Sequence, residues 1–89
     1  MYLKRIWYNT PMTVKIYSTP TCPWCKMVKA YFKEKGVQYE DFNVATDVKA
    51  QEEMIQKSGQ MGVPVIDIDG KIVVGFDKEK INEYLNIKE

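Results

Sequence analysis

Histidine is absent from this 89-residue chain, and cysteine occurs only twice. With no histidine and no third cysteine, two ligands of a four-ligand zinc site would be missing. A dominant charge sign is lacking too. Lys+Arg 13 against Asp+Glu 12 leaves a net charge of +1, which gives no reason to expect nucleic acid or a membrane surface as partner. No apolar run approaches the roughly 20 residues of a membrane-spanning helix. After Lys4-Arg5 only Ile6-Trp7-Tyr8 follows, too short for a secretion-signal core, so the chain is expected in the cytoplasm. Repeats and low-complexity stretches are also missing. An apolar fraction of 45% over 89 residues describes one ordinary domain, small enough that core burial alone leaves it modestly stable.

What the chain does have is Thr21-Cys22-Pro23-Trp24-Cys25, which holds all of its sulfur nucleophiles. Val14-Lys15-Ile16-Tyr17-Ser18 before it reads as a strand. After it, Trp24, Met27, Val28, Tyr31 and Phe32 recur at i, i+3, i+4, i+7 and i+8, one face of a helix. Pro23 suits the first helical position, where its missing N–H would have no partner anyway. Cys22 then becomes the N-cap and Cys25 lies one turn along. At the N-cap, free backbone N–H groups and the positive end of the helix dipole favour thiolate over thiol. Cys22 is therefore the expected nucleophile. Cys25, more sheltered and within reach, is the expected resolver. A structural disulfide closing so short a loop would restrain the unfolded chain little. In a cytoplasmic chain, a CxxC beside a strand–helix–strand pattern points to redox exchange.

The remaining elements follow in order. A strand is expected over Thr13–Ser18 and a helix over Pro23–Lys35, ended by Gly36. Val37–Phe42 reads as a second strand, parallel to the first through a right-handed crossover. Thr46 or Asp47 caps a helix reaching Ser58, with Gly59 as its stop and a thin apolar face of Val48, Met54 and Ile55. Val65–Ile68 and Lys71–Val74 form a hairpin around Asp69-Gly70. A last helix over Lys78–Asn86 packs Ile81, Tyr84 and Leu85. Residues 1–11 fit neither a strand nor a capped helix. They are read as an N-terminal extension, frayed or loosely docked, ahead of a domain over 12–89. The alternative is a partner-docking arm built on Leu3, Ile6, Trp7 and Tyr8.

Thr19-Pro20-Thr21-Cys22-Pro23-Trp24-Cys25 resembles the active-site segment of dithiol glutaredoxins, and the order βαβ-α-ββ-α is the one that resemblance predicts. It implies an α/β thioredoxin-like fold, a four-stranded mixed sheet flanked by three helices. It also implies a thiol-disulfide oxidoreductase acting on disulfide-containing or glutathionylated proteins. No cofactor would be bound, and glutathione would be co-substrate. A monomer is expected, since no long apolar surface beyond residues 1–11 asks for a partner.

Carried onto this sequence, the resemblance assigns a cis peptide bond to Val63-Pro64, turning the Val63 backbone towards a substrate docked like an added strand. Gly75-Phe76-Asp77 would receive the γ-glutamyl end of glutathione, although Asp77 also suits an N-cap, with Phe76 and Ile81 spaced as a hydrophobic staple. Gln60 corresponds to a glutathione-contacting glutamine, and Trp24 would cover the site's rim. Read from their place on the helix, Lys26 and Lys29 either help hold a thiolate or are solvated lysines of its outer face, the commoner case. Three positions depart from the pattern of many glutathione users. Thr19 and Met61 stand where those proteins carry basic residues, and Lys78 stands where a second acid is common. Each lost charge-assisted hydrogen bond is worth about 1–3 kcal/mol, so the cradle for glutathione is incomplete.

That leaves other readings beside the leading one. The disulfide could be reduced by a thioredoxin-reductase-type flavoenzyme, as in glutaredoxin-like electron donors of ribonucleotide reductase. A non-catalytic iron–sulfur carrier is a rival, against which Pro23 weighs because cluster-binding relatives usually lack it. A docking module acting through Trp7, Tyr8 and Trp24 is the third.

Overall fold

The computed structural model describes residues 13–87. The expected extension over 1–11 lies outside them. Among the described residues, no helix is long and apolar enough to cross a membrane.

Among the described residues, four strands and three helices follow in the order β1 (Val14–Ser18), α1 (Pro23–Glu34), β2 (Glu40–Asn43), α2 (Val48–Ser58), β3 (Val65–Ile68), β4 (Lys71–Val74) and α3 (Lys78–Leu85). The sheet order is β2-β1-β3-β4, with β1 parallel to β2 and both other pairings antiparallel. This is the mixed sheet with three helices that the resemblance implies.

Period-two alternation explains which residue faces which layer. Ile16 lies opposite Ile66, Val14 opposite Ile68, and Ile66 opposite Val73. These meet Val28, Tyr31 and Phe32 of α1 and Ile81 of α3 in one buried cluster. The intervening residues Tyr17 and Val65 meet Val44, Ala50 and Met54 on the other side. Both faces of the sheet are thus covered, and Tyr17, a residue of the second set, is fully buried.

Local chemistry sets the ends. Asp47 caps α2 by accepting from Ala50 N–H at 3.1 Å, and Asp77 caps α3 by accepting from Lys80 N–H at 3.2 Å. Asp69 (φ 54°) and Gly70 (φ 95°) both take the positive φ that a two-residue type I′ hairpin requires.

Several expectations need correction. The second strand begins at Glu40 rather than Val37. Val37 N–H closes the end of α1 on Phe32 O at 2.8 Å, while Val37 and Tyr39 pack on the core, so pairing with β1 starts only at Glu40. On α1 the buried stripe is Cys25, Val28, Tyr31 and Phe32, whereas Trp24 (58%) and Met27 (48%) are exposed. A stripe running through Cys25, Val28 and Phe32 leaves those two on the flank of the helix. On α2, Ala50 and Met54, four residues apart on one face, are buried, and Val48, two residues before Ala50, points away from that face and is 67% exposed.

Candidate active site

The first turn of α1 places the two sulfurs in unlike surroundings. Cys22 is the N-cap, with extended backbone (φ −88°, ψ 114°), and its Sγ accepts the Cys25 N–H at 3.1 Å. Pro23 at the next position offers no N–H to compete. Cys22 is half-buried, whereas Cys25 is buried completely. Burial pushes the Cys25 thiol up to about 11, with its hydrogen bond to Cys22 acting in the same sense. A backbone contact from Thr19 and the charge of Lys29 pull it the other way. Both cysteines are free thiols.

A second segment faces the first. The Val63-Pro64 peptide bond is cis, as the resemblance implies. The Val63 carbonyl lies 3.9 Å from Cys22 Sγ. Pro64 itself is buried, at the head of β3. The third segment is tied to the second, since Gly75 N–H donates to Pro64 O at 2.8 Å. Phe76, next in line, packs against Tyr31 with ring centroids 5.8 Å apart, and Asp77 is engaged as the cap of α3. Lys78 Nζ sits over the Tyr31 ring at 5.0 Å.

The other expected residues divide. Thr19 O accepts Cys22 N–H at 3.4 Å, so Thr19 supports the nucleophile loop through its backbone. Trp24 projects into solvent at the rim. Lys26 is exposed on α1, while Lys29 pairs with Asp41 at 2.6 Å. Gln60 directs its amide into its own loop, donating to Ser58 Oγ and Gly62 O and accepting Gly62 N–H.

Sequence reasoning missed one arrangement on the helix that carries the sulfurs. Asp41 on β2 accepts Ser18 O–H at 2.7 Å and the Lys29 ammonium, linking the end of β1, the second strand and α1, and Lys29 is the cation whose charge acts on Cys25. No periodicity signals Asp41. Only the parallel register, which sets Ile16 opposite Asp41, brings it there.

The glutaredoxin family model matches residues 14–73. A glutaredoxin-like 8.6 kDa protein in the rubredoxin operon of Clostridium pasteurianum is 57% identical over 72 residues, covering 81% of this chain and 96% of that protein. Glutaredoxin 3 of Escherichia coli (strain K12) is 39% identical over 64 residues, covering 72% of this chain and 77% of its own. A solved glutaredoxin from Archaeoglobus fulgidus superposes with a TM-score of 0.76 at 28% identity, over 90% of this chain and 92% of that one.

Proposed function

The chain belongs to the glutaredoxin family, and from that membership we propose that it reduces protein disulfides or glutathione mixed disulfides through the Cys22/Cys25 dithiol. Family and cysteine pair together make it a thiol oxidoreductase. One observation carries the finer reading. A half-exposed sulfur at a helix N-cap receives a backbone N–H at 3.1 Å, with the Val63 carbonyl beside it. The helix N-terminus directs a backbone N–H at the nucleophilic sulfur, and the adjacent backbone offers a docking edge.

The Cys22 thiolate attacks one sulfur of the target disulfide. A Cys22–target bond forms, the target bond breaks, and the departing thiolate takes a proton. Cys25 then loses its proton and attacks Cys22 Sγ. The second target sulfur leaves as a thiol, two electrons have passed to the target, and Cys22–Cys25 is the oxidised product. The unlike surroundings order these steps. While Cys22 carries charge, burial and that neighbour keep Cys25 protonated. Once Cys22 is in a mixed disulfide, the repulsion vanishes and Cys25 ionises more readily. With a glutathionylated target, Cys22 alone takes the glutathionyl group and a second glutathione resolves it.

A second reading concerns the electron donor. Thr19, Met61 and Lys78 leave the glutathione cradle short of charge, and the Gln60 amide is engaged within its own loop. Both facts favour reduction by a thioredoxin-reductase-type flavoenzyme. The oxidised protein, mixed with NADPH and either glutathione plus its reductase or thioredoxin reductase, separates the two by the rate of NADPH loss. Rapid loss with only one system assigns that donor. Loss with neither, from protein whose Cys22–Cys25 disulfide is verified, overturns the proposal.

A further inference from the structure

Gln60 stands at an unusual place. It follows the end of α2 by two residues and precedes the Val63-Pro64 bond by three, and its side chain turns back onto this short connection. Gly62 N–H donates to Oε1 at 2.7 Å while Nε2 donates to Gly62 O at 3.1 Å, so one amide grips both backbone groups of one residue. The second Nε2 hydrogen reaches Ser58 Oγ at 3.2 Å, and the Ser58 hydroxyl donates to Met54 O at 2.7 Å within the last turn of α2. The orientation of the amide is fixed by this pattern, because only Oε1 can accept the Gly62 N–H. Both donors and one of two acceptor positions are occupied. A Cβ at Gly62 would lie 2.8 Å from Oε1, so a side chain there would push the amide out of this arrangement.

We propose that Gln60 is a positioning residue: its amide clamps Gly62 to the end of α2 and thereby sets where the Val63 carbonyl stands over Cys22 Sγ. This rests on the exchange reaction proposed above and departs from the role that resemblance implies for Gln60, a direct contact to glutathione. A side chain with both donors engaged has one lone pair left for a ligand. Its neighbour Gly62, by contrast, is one peptide away from the carbonyl that lies 3.9 Å from the sulfur. A substrate that pairs with the Val63 backbone needs that peptide held in place, and a misplacement on the scale of 1 Å is expensive in rate. A small disulfide that needs only the sulfur does not.

The test uses the full chain reduced by dithiothreitol, with insulin as the protein disulfide and hydroxyethyl disulfide as the small one. Gln60→Ala is expected to lower kcat/KM on insulin about tenfold and on hydroxyethyl disulfide less than about twofold. Gln60→Glu retains the acceptor for Gly62 N–H and loses the donor to Gly62 O. Its insulin rate, relative to the unaltered protein at the same pH, should recover as the pH is lowered towards about 5 and the carboxyl begins to regain a proton. Hydrogen exchange at Gly62 N–H gives a readout independent of activity, and it should be protected in the unaltered protein and faster in Gln60→Ala. An equal fall on both disulfides, or an effect confined to KM for a glutathionylated peptide, overturns the positioning role. So does an unprotected Gly62 N–H, whatever the activity. Failure of the unaltered protein on both disulfides instead counts against the exchange reaction, while the Gly62 protection still decides the clamp.

Discussion

On the α1/α3 face of the sheet, Ile16, Ile66, Ile68 and Val73 meet Val28, Phe32 and Ile81 in packing that is almost wholly apolar. On the α2 face a smaller cluster of Tyr17, Val44, Ala50, Met54 and Val65 shares the contact with charge. There Lys57 Nζ reaches Asp67 at 2.5 Å and the Tyr17 hydroxyl at 3.0 Å, Tyr17 donates to Glu53, and Asp67 also accepts Gly70 N–H at 2.7 Å. Apolar contact is non-directional and insensitive to pH, whereas hydrogen-bonded charges fix one geometry and titrate. The site draws on both faces. Cys22 arrives on α1 from the apolar side, and Val63 arrives from the loop that follows α2 on the ionic side.

The sharpest separation should come from the cysteines, one half-buried at the cap of α1 and one buried a turn further on. Cys22→Ser is expected to reduce exchange to the uncatalysed level, measured as NADPH or dithiol consumption, while Cys25→Ser stops only the dithiol route. Exchange surviving in Cys22→Ser would reverse the assigned roles. Alkylation adds a pH test of the same asymmetry. Near pH 7 iodoacetamide should label Cys22 alone, with Cys25 labelling climbing as the pH approaches about 11.

Next in size is a change that alters stability and spares the sulfur. Asp67→Asn keeps an acceptor for Gly70 N–H but leaves the Lys57 ammonium without its carboxylate. Breaking a fully buried pair costs several kcal/mol. Here Lys57 retains Tyr17 and the partly exposed Glu53 at 3.7 Å, so about 2 kcal/mol is expected, roughly 10 °C in Tm. An unchanged Tm would mean that the ionic contact does not hold α2.

The pH limbs sharpen the contrast further. For Asp67, burial alone would raise the carboxyl, but hydrogen bonds from Lys57 and Gly70 N–H outweigh it and hold the group below its usual range. The Tyr17 hydrogen bond lowers Glu53 likewise. Depressed acids stabilise the fold above their unfolded pKa, so this contribution is lost as pH falls below about 4. Lys57 is raised, its bonds to Asp67 and Tyr17 overcoming the opposing effect of burial, and Tyr17 is raised by burial and by Glu53. Raised groups stabilise below their unfolded pKa, and that share is lost as pH climbs past about 10. Urea midpoints across pH should show both limbs, with the acid limb shallower in Asp67→Asn. The smallest effect belongs to the exposed start of α2, where Val48→Thr should shift stability by no more than about 0.5 kcal/mol.

Much of this was legible in the chain because it depends on near neighbours. The Cys22 cap, Pro23 at the first helical position, the Asp69-Gly70 hairpin and the Asp77 cap are all decided within about four residues, the reach of turn and helix chemistry, while the structure selects Asp47 over Thr46 as the cap of α2. The exposed Trp24, Met27 and Val48 were not legible, because which flank of a helix meets the sheet depends on how the whole helix docks. Lys29 with Asp41 and Lys57 with Asp67 were hidden for the same reason: each pair is joined only through strand register or layer packing.

By itself, then, the sequence determined the order and type of the elements, the Asp69-Gly70 hairpin and which sulfur would cap a helix, since local backbone bonding leaves few alternatives there. Only the tertiary structure decided which side chains oppose one another across layers, that Gln60 is turned upon its own loop, and that the Val63 carbonyl stands above Cys22. Those placements join segments distant along the chain, and their geometry is set by burial of the two faces together rather than by any one stretch of residues.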